Sequence, residues 1–202
     1  MPAPPSRDPA AAPTSPTARL LNVANVLTTI RLVLVPVFLF ALFADGGYET
    51  RWRIAAFVVF AVAMVTDRFD GALARSYGMV TEFGKLADPI ADKALLGAAL
   101  IGLSLLHELP WWVTVLILVR EIGITVLRFA VLHRGVIPAS RGGKLKTLVQ
   151  AIAIGLFILP LSGAWHVVAM AVMAVAIVLT VVTGIDYVAQ AVKDSHGRPA
   201  DQ

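Results

Sequence analysis

Cysteine is absent from the 202 residues, so neither a disulfide nor a thiolate metal site can form. Charge is scarce: 15% of residues are Asp, Glu, Lys or Arg, against 58% that are hydrophobic. Apolar residues in runs this long and this uniform do not read as a soluble core, and they predict one polytopic helical membrane domain. Aromatic residues are few and are not interleaved with basic ones, which argues against a nucleic-acid partner. The net charge of +4 is carried mainly in connecting segments, a pattern that suits anionic membrane lipids or phosphate groups. Four histidines are scattered along the chain, and no pair has metal-ligand spacing.

What is present reads as six helices. Residues 1–18 are rich in Pro, Ala, Ser and Thr with no apolar core segment, and predict a disordered tail. A membrane domain over 19–190 and a solvated tail over 191–202 follow. From Arg19 to Ile30 the apolar residues recur at helical spacing, predicting an interfacial helix that leads into a first span ending near Phe43. Asn25, Thr28 and Arg31 then lie near the side where the chain enters the bilayer, placed for headgroup or nucleotide contact. Asp45, Gly46 and Gly47 break the helix. Further spans are expected at about Trp52–Arg75, Gly84–Leu106, Trp111–Val131, Thr147–Leu161 and Trp165–Val188, with residues 107–110 as a turn and 133–146 as a basic loop. The expected fold is all-α, with six transmembrane helices and an N-terminal interfacial helix. Lys and Arg concentrate on the side of the termini, which the positive-inside rule places in the cytoplasm, with the chain in the plasma membrane.

The stretch from Asp67 to Asp92 carries the chemistry. Asp67 and Asp70 are spaced i, i+3, and Asp88 and Asp92 i, i+4, so each pair shares one face of a helix. Four unpaired carboxylates beside hydrocarbon would repel one another, so the cluster calls for divalent cations. An all-Asp donor set suits two Mg²⁺ or Mn²⁺ ions better than zinc. Capping of helix N-termini would explain Asp88 but not Asp67 and Asp70. Gly71 and Ala74 line the same side with small residues, and Arg75 offers a bidentate fork to a phosphate. Gly84 permits close helix approach, and Pro89 is expected in a first helical turn or at a kink.

Asp67-x2-Asp70-Gly71-x2-Ala74-Arg75-x8-Gly84-x3-Asp88-x3-Asp92 resembles the complete signature of the CDP-alcohol phosphotransferases. NVANVLTTIRLVLVPVF, LVREIGITVLRF and GGKLKTLVQ are similar to the phosphatidylglycerophosphate synthase branch of that family, and the likeness runs from Asn22 to Tyr187. The resemblance implies transfer of the phosphatidyl group of CDP-diacylglycerol to sn-glycerol 3-phosphate, by a homodimer with its site at the cytoplasmic face. By position, Asp67 and Asp88 would bridge both cations. Asp70 would complete the first, and Asp92 would bind the second and take the proton of the attacking hydroxyl. Gly71, Ala74, Arg75 and Thr81 would hold the CDP part.

Glycerol 3-phosphate is dianionic, and Arg120, Arg128, Lys144 and Lys146 are the cations available for it. Arg120 is expected about halfway across the bilayer, pairing with an acid. Gly142 and Gly143 would allow a bent approach that aims Lys144 or Lys146 inward. The same chemistry with inositol phosphate or phosphatidylglycerol as acceptor is the alternative. A divalent-cation transporter would need acids distributed across the membrane, and here they gather at one face.

Overall fold

Six long helices and one short 3₁₀ turn make up the computed structural model, which describes the backbone of residues 16–76, 82–131 and 141–196. Side chains are described for 29–66, 93–127, 143 and 145–190. Among the described residues there is no strand, as the expected all-α class requires. Thr81, expected to contact CDP, and most of the basic loop lie outside the described residues.

Helix α1, Pro16–Phe43, begins on a proline, whose missing N–H costs nothing at a helix start. The expected interfacial helix does not form a separate element. No Gly or Pro stands between residues 17 and 35 to break the chain, so it continues straight into the first span. The break comes where the sequence put it, at Ala44–Gly47. There Asp45, Gly46 and Gly47 adopt φ of 49°, 74° and 80° in succession, a left-handed run that ends the helix.

Helix α2 is Thr50–Ser76, α3 is Glu82–Leu105 and α4 is Trp111–Val131. Between α3 and α4, His107 takes φ 58°, Glu108 N–H donates to the Leu103 carbonyl at 2.9 Å, and His107 N–H donates to the Ser104 carbonyl at 3.1 Å. That pattern is a Schellman cap, with histidine where glycine is usual. The hairpin is held by a buried hydroxyl pair, Ser104 Oγ and Thr114 Oγ1, 2.7 Å apart.

Helix α5 is Arg141–Ile158 and α6 is Ala164–His196. Arg141 to Lys146 are thus the first turns of α5 and not a loop, and Gly142 and Gly143 are helical, so the bent approach is absent. The helix propensity lost at two glycines is about 1 kcal/mol each, which tertiary contacts of the same helix outweigh. Thr147 Oγ1 also donates back to the Gly143 carbonyl at 3.0 Å.

Helix α1 packs on α2 and α3, α5 on α6, α2 and α3, and α4 on α3 and α6. Phe38, Phe60, Leu103, Ile117, Ile154 and Ala176 fill the centre. Gly102 lets α1 approach α3, since a Cβ there would stand 2.6 Å from Leu42 Cδ2. The outer faces are apolar too: Ile54, Val58, Val62 and Val65 form an exposed stripe on α2, and Val115, Val119, Ile122 and Val126 another on α4. Buried Arg53, Lys146 and Gln150 stand inside this apolar shell. Thr29–Gly47 and Ala164–Gln190 are long and apolar enough to cross a membrane, and Lys93–Leu105 and Leu145–Ile158 are shorter apolar segments. Six spans were expected; by length and composition, two helices among the described residues pass that test.

At the end of the bundle where α2 begins, Arg53 is 2% exposed. Its Nη2 donates to Glu108 Oε1 at 3.0 Å and to the Phe157 carbonyl at 3.1 Å. It therefore joins α2, the α3–α4 turn and the last turn of α5. Replacing it, as in Arg53→Met, leaves the carboxylate and the carbonyl short of a partner. The expected loss is about 1–3 kcal/mol, measured as a lower unfolding midpoint in detergent. Substrate KM values should stay unchanged, because Arg53 is about 21 Å along α2 from Asp67.

Candidate active site

The aspartates occupy helix interiors. Asp67 and Asp70 fall within α2, more than a turn before Ser76, and Asp88 and Asp92 within α3, six and ten residues after Glu82. At that depth the backbone N–H groups are already bonded within the helix, so N-terminal capping cannot account for any of the four. Pro89 also lies past the first turn and cannot donate to the carbonyl of Lys85, which makes the kink the surviving expectation. Gly71, Ala74 and Arg75 continue α2, and Gly84 stands one turn before Asp88 in α3. The side chains of all these residues, and those of Asn25, Thr28, Arg128 and Lys144, lie outside the described residues. Arg31 is described and is 5% exposed, buried in the wall of α1.

Next along α3 from Asp92 stands Lys93, and here the described side chains converge. Lys93 Nζ donates to the Glu121 carbonyl at 3.3 Å and to Glu121 Oε2 at 3.4 Å. Glu121 Oε1 receives Lys146 Nζ from α5, and Arg120 Nη1 at 3.4 Å. Arg120 Nη2 donates to Thr183 Oγ1 of α6 at 2.8 Å. One carboxylate on α4 therefore gathers cations from α3, α4 and α5, and through Arg120 reaches α6. An acid this largely buried is stable only when paired, and its three cationic partners supply that.

Two of the expected acceptor-binding cations, Arg120 and Lys146, are thus brought together. Lys146 is 2% exposed and sealed against Glu121, while Arg120 pairs with an acid as expected. One turn beyond Lys146, Gln150 is 1% exposed, and neither its Nε2 nor its Oε1 has a hydrogen-bond partner among the described residues. Lys93, Gln150 and Thr183 were missed by sequence reasoning. The available signal was one of spacing: Gln150 is i+4 from Lys146, so two polar residues share a face of an otherwise apolar helix. Arg120 also borders an apolar cleft of about 630 Å³ between α4 and α6, lined by Gly123, Leu127, Thr180 and Gly184 among others.

Among the described residues no three His, Asp or Glu side chains stand together as a metal site. The four aspartates fit divalent cations by their donor chemistry: carboxylates only, at i, i+3 and i, i+4, in two consecutive helices.

An all-helical chain whose α2 and α3 carry this motif is a member of the CDP-alcohol phosphatidyltransferase family, which it matches over residues 21–182. Its relatives narrow the comparison. It is 67% identical over 180 residues to a probable phosphatidylglycerophosphate synthase of Mycobacterium tuberculosis, covering 89% of this chain and 86% of that one. Two proteins named CDP-diacylglycerol--glycerol-3-phosphate 3-phosphatidyltransferase are also similar. That of Rickettsia felis is 36% identical over 171 residues, 82% of this chain and 93% of its own. That of Bacillus subtilis is 35% identical over 181 residues, 83% and 94%. The family resemblance carried by the signature is borne out.

Proposed function

We infer that this chain transfers the phosphatidyl group of CDP-diacylglycerol to sn-glycerol 3-phosphate, giving phosphatidylglycerol phosphate and CMP. The observation that carries the reading is the unbroken eight-position signature on two consecutive helices, in a chain 67% identical to a relative named for the synthase of that product. In the transfer, the acceptor hydroxyl oxygen forms a bond to the phosphorus that bears diacylglycerol. The bond from that phosphorus to the bridging oxygen breaks, CMP leaves, and the hydroxyl proton passes to a carboxylate, which the motif assigns to Asp92. Asp67, Asp70, Asp88 and Asp92 would hold two Mg²⁺ or Mn²⁺ ions. When bound, these offset the diphosphate charge and lower the pKa of the hydroxyl. Gly71, Ala74 and Arg75 form the α2 side on which the CDP part rests, with Thr81, Asn25, Thr28 and Arg31 as further contacts. Arg120, Arg128, Lys144 and Lys146 supply positive charge for the acceptor phosphate.

The remaining parts of the proposal rest on the charge pattern and the outward apolar stripes and, for the homodimer, on the family resemblance. All six helices span the plasma membrane with both termini and the aspartates in the cytoplasm, and the chain acts as a homodimer among membrane lipids. In support, the opposite end carries only Arg51 and Arg53, while the tails, loops and helix ends on the side of the termini hold Arg7, Arg19, Arg75, Lys85, Arg134, Arg141, Lys144, Lys146, Lys193 and Arg198.

The deciding experiment is CMP release by purified chain with CDP-diacylglycerol, Mg²⁺ and each acceptor in turn. Glycerol 3-phosphate is expected to be used, chelation by EDTA to stop release, and Mg²⁺ or Mn²⁺ to restore it. Faster release with inositol phosphate would show that the acceptor is misassigned.

A further inference from the structure

We propose that Lys93 binds the phosphate of the acceptor and that Glu121 is the residue that positions it, an inference resting on the transfer reaction proposed above. Three cations meet at Glu121, and they are not equivalent. Lys146 keeps 2% of its side chain exposed and Arg120 keeps 17%, with one guanidinium nitrogen committed to Thr183 of α6. Lys93 keeps 32%, so it is the cation of the three that a ligand reaches most readily.

Its bonds point the same way. The contacts from Lys93 to Glu121, at 3.3 and 3.4 Å, are long for a charged donor, which normally stands ~2.7–2.9 Å from a carboxylate. Lys146 donates to the other oxygen of the same carboxylate. Lys93 can turn in part toward a phosphate oxygen while Glu121 keeps Lys146 on its other carboxylate oxygen and stays in place. A compact ammonium is suited to meeting a dianion as a point charge.

Position selects the acceptor over the liponucleotide. Asp88 and Asp92 share one register of α3, and Lys93 follows about 100° round the helix, on the flank that meets Glu121 of α4. The motif residues assigned to CDP belong to α2, which packs on α1 and α5. A molecule reaching the aspartates along the α4 flank meets Lys93 first. An attacking hydroxyl must come from a side other than the one the leaving nucleotide occupies.

The test uses the full chain in detergent, with KM for each substrate, calorimetric binding of glycerol 3-phosphate without liponucleotide, and the unfolding midpoint. Lys93→Met is expected to raise the KM and Kd for glycerol 3-phosphate by about tenfold or more and to leave the KM for CDP-diacylglycerol within about twofold. Glu121→Gln should raise the same KM, Glu121→Asp should recover part of it, and the Lys93→Met, Glu121→Gln double variant should be no worse than the poorer single. An unchanged glycerol 3-phosphate KM in Lys93→Met overturns the proposal. Equal rises for both substrates overturn it too, placing Lys93 on the liponucleotide diphosphate. A Glu121→Gln variant with a lower unfolding midpoint and unchanged KM reduces Glu121 to a structural tie and overturns its positioning role. If the wild type prefers inositol phosphate, the acceptor reading fails, and the Lys93→Met comparison run with that acceptor decides the present inference by the same criteria.

Discussion

Asp88→Asn is expected to reduce CMP release by at least about 10²–10³-fold, the scale on which removing one preorganised electrostatic group acts. Asp67→Asn should behave alike. The substitution keeps the shape of the side chain and removes the charge. Since Asp88 stands in the interior of α3, no helix cap is lost with it, and the unfolding midpoint should hold. The loss should fall on kcat more than on KM, because the carboxylate acts where charge is redistributed in the transition state. Turnover close to wild type at saturating Mg²⁺, in either variant, would sink the assignment of these aspartates to divalent cations.

Gly71→Leu is the second large effect expected. Gly71 follows Asp67 by four residues in α2, so the two share a helical face, and a leucine there adds four carbons beside the aspartates. Binding of CDP-diacylglycerol should weaken by roughly 10–100-fold, as overpacking of about 1–3 kcal/mol predicts, while glycerol 3-phosphate binding is retained. The comparison needs both equilibrium affinities on one preparation. A variant that binds the liponucleotide normally would show that this face of α2 is not where the nucleotide rests.

The sequence made some levels of this molecule plain and hid others, for physical reasons. Helix boundaries at Ala44–Gly47, at the α3–α4 turn and at Trp111 follow from backbone chemistry confined to a few residues, so they could be read locally. The signature could be read because its meaning lies in spacing within two neighbouring helices. Gly142 and Gly143 misled because glycine is only a weak helix breaker, while the helix that contains them gains packing on α6, α2 and α3 and the ion pair of Lys146 with Glu121. The interfacial helix misled in the opposite sense: a polar face marks where a helix sits in the bilayer, and it does not mark where the helix ends. The partners of Arg53 and Lys146 were out of reach. They lie 55, 104 and 25 residues away, and periodicity within one helix carries no information about which neighbour it meets. The same limit hid Lys93, whose role depends on α4.

The Arg53 tie also sets a clock on biogenesis. Its first partner is made 55 residues after it and its second 104 residues after it. At ~5–20 residues per second of synthesis, Arg53 waits roughly 5–20 s before the Phe157 carbonyl exists. Until then the guanidinium belongs to an unfinished bundle, with Glu108 the earlier of its two partners to be made. The end of α2 that carries Arg53 therefore completes its packing only when the last turn of α5 has been made. The end remote from the aspartates is then sealed only once α5 has been made, with α6 still to be packed on α4 and α5.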